Sequence, residues 1–235
     1  MGNLYIVSTP IGNMEDLTLR ALRIVQEVDI IAAEETRHTR QLLSHFEIHG
    51  KQLISCHAFN EHGKVAELVE QVKNGASVAL VSDAGTPSVA DPGFLLVRTA
   101  VESGVEPVVI PGVSALTFAV TASALPVDKF AFRAFAPVKS GQKEKFLREM
   151  LESGMTNFFF ESPYRISKTL TAIAEIAPDC RVAMIREATK FHEEIIRGSA
   201  AELAALKRDW KGEFVIGIHS GDRRKERELS DGDDK

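Results

Sequence analysis

Three short stretches concentrate residue types suited to a nucleotide-like ligand: Thr9-Pro10-Ile11-Gly12-Asn13, Asp83-Ala84-Gly85-Thr86-Pro87-Ser88 and Pro111-Gly112-Val113-Ser114-Ala115. Glycine lets backbone approach a ligand closely and proline fixes the bend. Small hydroxyl residues and free N–H groups supply hydrogen bonds at little cost in volume. One such loop is what any strand-to-helix turn shows. Three of them at equivalent strand ends predict a cleft. A fourth stretch, Glu34-Glu35-Thr36-Arg37-His38-Thr39-Arg40, puts acids, bases and hydroxyls together. Its plain reading is a solvated loop, but Arg37 and Arg40 suit a bidentate grip on phosphate, with the glutamates orienting them. In the second half, Glu161-Ser162-Pro163-Tyr164-Arg165 and Arg186-Glu187-Ala188-Thr189-Lys190 repeat this character, with His192-Glu193-Glu194 behind them. Lys139, Lys143, Lys145 and Arg148 against Glu144 make either a phosphate-tracking edge or an exposed helix face.

Other chemistries lack their residues. No GxGxxG follows the first strand, and neither GxxxxGK[ST] nor GxSxG occurs, which disfavours a dinucleotide dehydrogenase, a P-loop enzyme and an α/β-hydrolase. His45 and His49 lie four apart, with Cys56, His57 and His62 close behind. No HExxH accompanies them, and a helix end that favours histidine explains the pair, so no metal is expected.

The elements that must position these loops alternate. Strands are predicted near Leu4 to Ser8, Asp29 to Ala33, Leu53 to Ser55, Ser77 to Ser82 and Pro107 to Ile110. Between them Leu17, Ala21, Ile24, Val25 and Val28 repeat at helical spacing. So do Val65, Leu68, Val69 and Val72, up to the stop at Asn74-Gly75. Asp91-Pro92 reads as an N-cap with a first-turn proline. The pattern breaks before Asp128, and further strands are predicted at Phe130 to Ala136, Asn157 to Glu161, Arg181 to Arg186, Glu193 to Arg197 and Glu213 to His219. Helices fall near Gln142 to Glu152, Pro163 to Ile176 and Ala200 to Lys207, the first turn of the last being a capping box at Ser199-Ala200-Ala201-Glu202. This is an α/β protein built around mainly parallel sheet. It divides into an N-terminal domain over 1–115, a C-terminal domain over 116–220 and a charged, disordered tail over 221–235.

The 235 residues carry 28 basic and 33 acidic side chains, a net charge of -5, so any contact with nucleic acid must come from a local patch. Two distant cysteines exclude a disulfide framework. No apolar run approaches the roughly 18 residues that span a bilayer, and the chain starts on a strand, so a cytoplasmic protein is expected.

Eight strings in register carry a resemblance. They are Leu4-Tyr5-Ile6-Val7, Thr9 to Asn13, Ala33 to Thr39, Ser82 to Pro87, Asp91-Pro92-Gly93, Glu161-Ser162-Pro163, Arg186-Glu187 with Thr189-Lys190, and Lys211-Gly212-Glu213-Phe214. Together they cover nearly all of residues 3 to 218, and the chain resembles the ribosomal RNA small-subunit methyltransferase I group of the tetrapyrrole-methylase superfamily. The resemblance implies two α/β domains of that type with S-adenosyl-L-methionine (AdoMet) in the cleft between them, a homodimer, and methylation of a cytidine 2′-oxygen in the decoding region. The substrate it implies is small-subunit rRNA, free or in the assembled subunit. It further implies AdoMet contacts from Pro10, from Asp83, Ala84, Gly85, Thr86 and Ser88, from Ser114 and Ala115, and from Ser162, Ala188 and Val215. Glu35 stands where Asp is usual in the group, Ser8 where a smaller residue is common, Val113 where Pro is, Ala188 where Leu is, and Tyr164 where His is. Longer members carry a C-terminal module that the charged tail replaces.

With a sulfonium methyl already electrophilic, alignment of the 2′-oxygen is the main task. A base is still needed, and Lys190, Glu187 and Glu35 are the candidates, the first two ranked ahead. Arg37, Arg40, Arg165, Arg186, Lys139 and Lys143 are the candidate RNA contacts. A corrin methyltransferase on the same fold is disfavoured because its usual Gly-Asp start and Ser-Gly-Asp-Pro loop are missing. A non-catalytic AdoMet- or RNA-binding assembly factor remains the rival from another class.

Overall fold

The computed structural model describes residues 2–221, so the expectation for the tail falls outside the described residues from 222 onward. The chain forms two compact units, Met1–Ser114 and Ala115–Lys235.

The first unit is a five-stranded sheet of β1 (Leu4–Val7), β2 (Ile30–Ala33), β3 (Gln52–Ser55), β4 (Val78–Val81) and β5 (Val108–Ile110) in the order β3-β2-β4-β1-β5. Every pairing is parallel. The alternation of the strands sends side chains to two cores. On one face Leu4, Ile6, Ile30, Ala32, Val78 and Leu80 pack with α3 (Glu61–Lys73) and α4 (Phe94–Glu102). On the other, Val7, Ile31, Ala33, Ala79 and Val81 pack with α1 (Leu19–Glu27) and Leu43 of α2 (Thr36–His45). Burial on both faces is why the inner strands β1, β2 and β4 read as near-unbroken apolar runs, while the edge strands β3 and β5 are partly exposed. The α1 helix begins on the Thr18 hydroxyl, which accepts from the Ala21 N–H, and α3 ends at Asn74 before Gly75 at φ 106°. Asp91 does not cap α4. Gly93 does, at φ 133°, in a space where a Cβ would lie 2.8 Å from Leu80 and Ser88, so Asp91-Pro92 belongs to the preceding loop.

The second unit corrects the expectation of mainly parallel sheet. Its strands β6 (Phe130–Phe135), β7 (Thr156–Glu161), β8 (Arg181–Arg186), β9 (Glu194–Ser199) and β10 (Phe214–His219) lie in the order β6-β7-β10-β8-β9. Only β6 and β7 pair parallel; β10 runs antiparallel to both its neighbours, and β8 to β9. The physical reason is the connections. The short link from Arg186 to Glu194 leaves no room for a helical crossover, which parallel pairing of β8 and β9 would require. α5 (Ala115–Ala122) covers one face, against Phe158, Ala183, Ile185 and Val215. α6 (Ser140–Glu152), α7 (Ile166–Ile176) and α8 (Ala200–Ala204) cover the other, around Phe159, Met184 and Ile216. The capping box at Ser199 and Glu202 is formed, with both of its hydrogen bonds. Ser162-Pro163 does not open α7 directly. A turn intervenes and Arg165 is the N-cap residue.

Candidate functional site

In the first unit the loops after β1, β4 and β5 meet at the carboxyl ends of neighbouring strands, where open α/β sheets place ligands. Thr9 and Gly85 exchange backbone hydrogen bonds at 2.8 and 3.0 Å. The Thr9 hydroxyl donates to the Ser82 carbonyl at 3.1 Å, and the Ser8 and Thr86 hydroxyls are hydrogen-bonded at 3.0 Å. Gly112 lies so close to β1 that a Cβ there would sit 2.8 Å from that of Ser8. Gly85 adopts φ 87°, and Ser88 and Ala90, which have side chains, adopt φ 71° and 67°. Left-handed residues of this kind cost free energy and collect where backbone is shaped for a ligand. Pro10 is buried against this frame, while Asp83, Ala84 and Ser88 are placed by the loop after β4.

The loop after β2 joins them. Glu35 caps α2, its Oε1 accepting from the Arg37 N–H at 3.1 Å, and its own N–H donates to Asp83 Oδ1 at 3.0 Å. His38 Nδ1 lies 3.0 Å from Asp83 Oδ2. The charged stretch is therefore a helix start rather than a loop, and Glu35 is engaged as a cap. Two further carboxylates gather here, Glu34 and Asp91, which the sequence strings contain but which are not among the candidate site residues. Burial, and then the charge of Asp83, raise the Glu34 carboxyl above its ordinary range. Burial, then the charges of Glu34 and Asp83, push Asp91 up to about 7. Their signal in the sequence is the recurrence of acids just past β2 and β4, which becomes a cluster only when those strands pair.

In the second unit β7 and β8 both end beside the start of β10, where Phe214 pairs with Glu161 on one side and Arg186 on the other. Ala115, Ala188 and Val215 join one apolar cluster. Ser162 turns the chain, its hydroxyl accepting from the Tyr164 N–H at 3.3 Å, and Tyr164 is exposed. After β8, Glu187 and Thr189 take φ 50° and 64°. Glu187 Oε1 accepts from Lys190 Nζ at 3.2 Å and from the Glu213 N–H at 2.9 Å, and Lys190 also reaches Glu213 Oε2 at 2.9 Å. Burial alone would lower the Lys190 ammonium, but the hydrogen bonds and charges of Glu213 and Glu187 outweigh it and hold the group above the usual lysine range. Burial of Glu187 is likewise outweighed, by the Glu213 N–H and by Lys190, so its carboxyl sits below its usual value. This corrects the first-ranked base. Lys190 is held as an ammonium with no lone pair to accept a proton, and Glu187 is held as a weakened, ionised base.

One of the six expected RNA contacts, Lys143, is also corrected, and two more, Arg165 and Arg186, are found in ion pairs. Lys143 is only 7% exposed, its ammonium 3.1 Å from Glu161 Oε2 and 2.7 Å from Thr169 Oγ1, because helical periodicity turns it into the core. Arg165 is spent on Glu161 Oε1 at 2.8 Å. Arg186 is held by the Lys211 carbonyl at 2.6 Å and by Glu194 at 3.5 Å. Arg37 and Arg40 lie on α2, and Lys139 at the start of α6, clear of these buried pairs. His45 ends α2 edge-on to Phe46, and among the described residues no group of three or more His, Cys, Asp or Glu could hold a metal ion. No described helix is long and apolar enough to cross a membrane.

The tetrapyrrole (corrin/porphyrin) methylases match residues 3–204. Ribosomal RNA small subunit methyltransferase I of Streptococcus pyogenes serotype M1 is 42% identical over 231 residues, covering 97% of this chain and 80% of that protein. The protein of that name from Xylella fastidiosa (strain Temecula1) is 44% identical over 220 residues, covering 92% and 80%. Diphthine synthase (TM-score 0.71, 16% identity, 97% of this chain and 94% of that one) and the methyltransferase CobJ (0.69, 18%, 94% and 95%) share the fold.

Proposed function

This chain belongs to the tetrapyrrole methylase family, and from that premise we propose that it is an AdoMet-dependent methyltransferase of small-subunit ribosomal RNA that modifies a cytidine 2′-oxygen in the decoding region. The observation that carries the reading is 42% identity across 97% of the chain with a ribosomal RNA small subunit methyltransferase I. A cytoplasmic homodimer acting on rRNA or on the assembled subunit goes with it.

The donor set fits AdoMet. Buried hydroxyls and left-handed backbone around Gly85 and Ser88 admit close main-chain approach, as an adenosine and an amino-acid moiety need. Asp83, held by the Glu35 N–H, places a carboxyl group at this end of the sheet beside Glu34 and Asp91, a polar surround suited to the amino-acid and ribose groups of the donor. Pro10, Asp83 to Thr86, Ser88 and Ser114 would hold it in the first unit, and Ala115, Ser162, Ala188 and Val215 in the second. When bound it supplies an electrophilic methyl group. The chain's own task is to align the ribose hydroxyl and stabilise negative charge on its oxygen. Lys190, positioned by Glu187 and Glu213, supplies that fixed positive charge and lowers the hydroxyl pKa, and the ionised Glu187 carboxylate beside it takes the proton as the oxygen bonds the methyl carbon. Arg37 and Arg40 hold phosphate.

The test is transfer of labelled methyl from AdoMet to small ribosomal subunits lacking the modification, with naked rRNA and a corrin precursor in parallel, followed by mapping of the nucleotide. Label on one cytidine 2′-oxygen is expected. Label on the corrin alone, or none despite AdoMet binding, overturns the reading.

A further inference from the structure

Away from the strand-end loops, the first unit holds a pocket of about 250 Å³ between the last turns of α2 and the start of β3. Arg40, Ser44, His49 and Lys51 line it over a floor of Leu43 and Ile48, and no carboxylate among the described residues does. In a chain of net charge -5 a recess lined by an arginine, a lysine, a histidine and a hydroxyl is a local exception. Lys51 is fixed in place: its ammonium donates to the carbonyls of Gln26 at 2.5 Å and Val28 at 2.7 Å. Carbonyls satisfy two of its three N–H donors without neutralising it, which leaves one donor and the whole charge for the pocket. Arg40 lies one turn on from Arg37, so the two share a helix face. That face runs from the Asp83 loop, where α2 starts, to the pocket, where it ends.

We propose that this pocket binds a backbone phosphate of the RNA substrate, as an anchor separate from the methyl-transfer chemistry. The assignment rests on the rRNA reading above. A guanidinium, an imidazole and a hydroxyl lining a recess of this size, with the fixed Lys51 ammonium beside them, match a phosphate's several acceptor oxygens. Flexible surface lysines would offer charge alone. Here the Lys51 stem is tied down, so little of its ordering cost remains for binding.

The experiment is binding of wild-type and Arg40→Gln/His49→Gln protein to small ribosomal subunits lacking the modification, over 50 to 200 mM monovalent salt at constant magnesium. Each lost single-strand phosphate contact removes about 0.7 from the slope of log affinity against log salt. Loss of the one phosphate the pocket holds lowers it by about 0.7, so the variant's affinity falls roughly 2.6-fold less than the wild type's across that range. Arg98→Gln, which removes an exposed cation on α4 paired with Glu102, controls for net charge and is expected to leave the slope as it is. Unchanged thermal melting shows the double variant is folded. A wild-type slope in the double variant, or an equal fall in Arg98→Gln, overturns the pocket assignment. So does loss of inorganic phosphate binding with the RNA slope intact, which would make the pocket a free-anion site. A wild-type protein that neither binds nor methylates the subunit overturns the rRNA reading itself, and this inference with it.

Discussion

Replacing Lys143 with Met should unfold the second unit more readily and leave RNA binding alone. Glu161 is 3% exposed and meets four partners: Lys143 at 3.1 Å, the Thr169 hydroxyl at 2.6 Å, Arg165 at 2.8 Å and the Ser162 N–H at 2.8 Å. At an effective dielectric of about 20 the Lys143–Glu161 attraction is about 5 kcal/mol before desolvation is counted. Removing one member of a buried pair costs about 3–5 kcal/mol because the other charge is stranded. Arg165 still faces Glu161 in the variant, so the lower figure applies, about 3 kcal/mol. With a urea dependence of about 1.5 kcal/mol per molar for a unit this size, the midpoint of the second unit should fall by about 2 M. The assay is urea titration followed by fluorescence of Trp210, which lies in that unit's core. Adding Glu161→Gln to the variant should recover part of the loss, since the stranded charge goes with it. A midpoint shift under about 0.5 M, or normal stability with weakened rRNA binding, would refute the reasoning and restore Lys143 as an RNA contact.

Three more outcomes are expected. Lys190→Met should keep AdoMet affinity and lose about 10²-fold in turnover, with Lys190→Arg restoring part of it; full turnover in the Met variant would remove Lys190 from the chemistry. Gly212→Ala should act similarly at one remove. Its Cβ would lie 2.5 Å from the Glu187 side chain at φ 93°, so the Glu187–Lys190 pair must shift, and single-turnover rates should fall while AdoMet binding stays. Asp91 gives a pH effect of definite sign. A carboxyl at about 7 in the folded chain against 3.8 as its ordinary value binds its proton more tightly when folded. Its contribution is then full below about pH 4 and is lost as pH rises to about 7. Asp91→Asn should therefore raise the urea midpoint of the first unit over wild type at pH 8 and do so much less at pH 5; equal gains at both would exclude the linkage.

Much of this architecture is legible in the residues. Leu4 to Val7, Ile30 to Ala33 and Val78 to Val81 are short β-branched or aliphatic runs bounded by polar turns, and such runs have few alternatives to a buried parallel strand. Asn74-Gly75 and the Ser199–Glu202 box set helix ends because capping is local chemistry, whereas Asp91-Pro92 has a cap's residue types without capping α4. The strings through Thr9 to Asn13 and Ser82 to Pro87 mark the strand-end loops by themselves, since glycine and proline at fixed offsets encode backbone shape directly. Pairing and charge state are not legible in the same way. Whether Arg181 to Arg186 runs parallel or antiparallel to its neighbours depends on connections and register, which lie between segments rather than in them. Whether Lys143 meets RNA or Glu161 depends on one helix's rotation against one strand, and whether Lys190 is a base or an ammonium depends on Glu187 and Glu213, the latter 23 residues away in sequence. Residue type and short-range spacing determined the strands, the strand-end loops and some of the caps of this protein; the other helix starts and the partners of its charges were decided only by tertiary structure, because packing, Coulomb and desolvation energies are set by distances and burial that no local stretch of sequence contains.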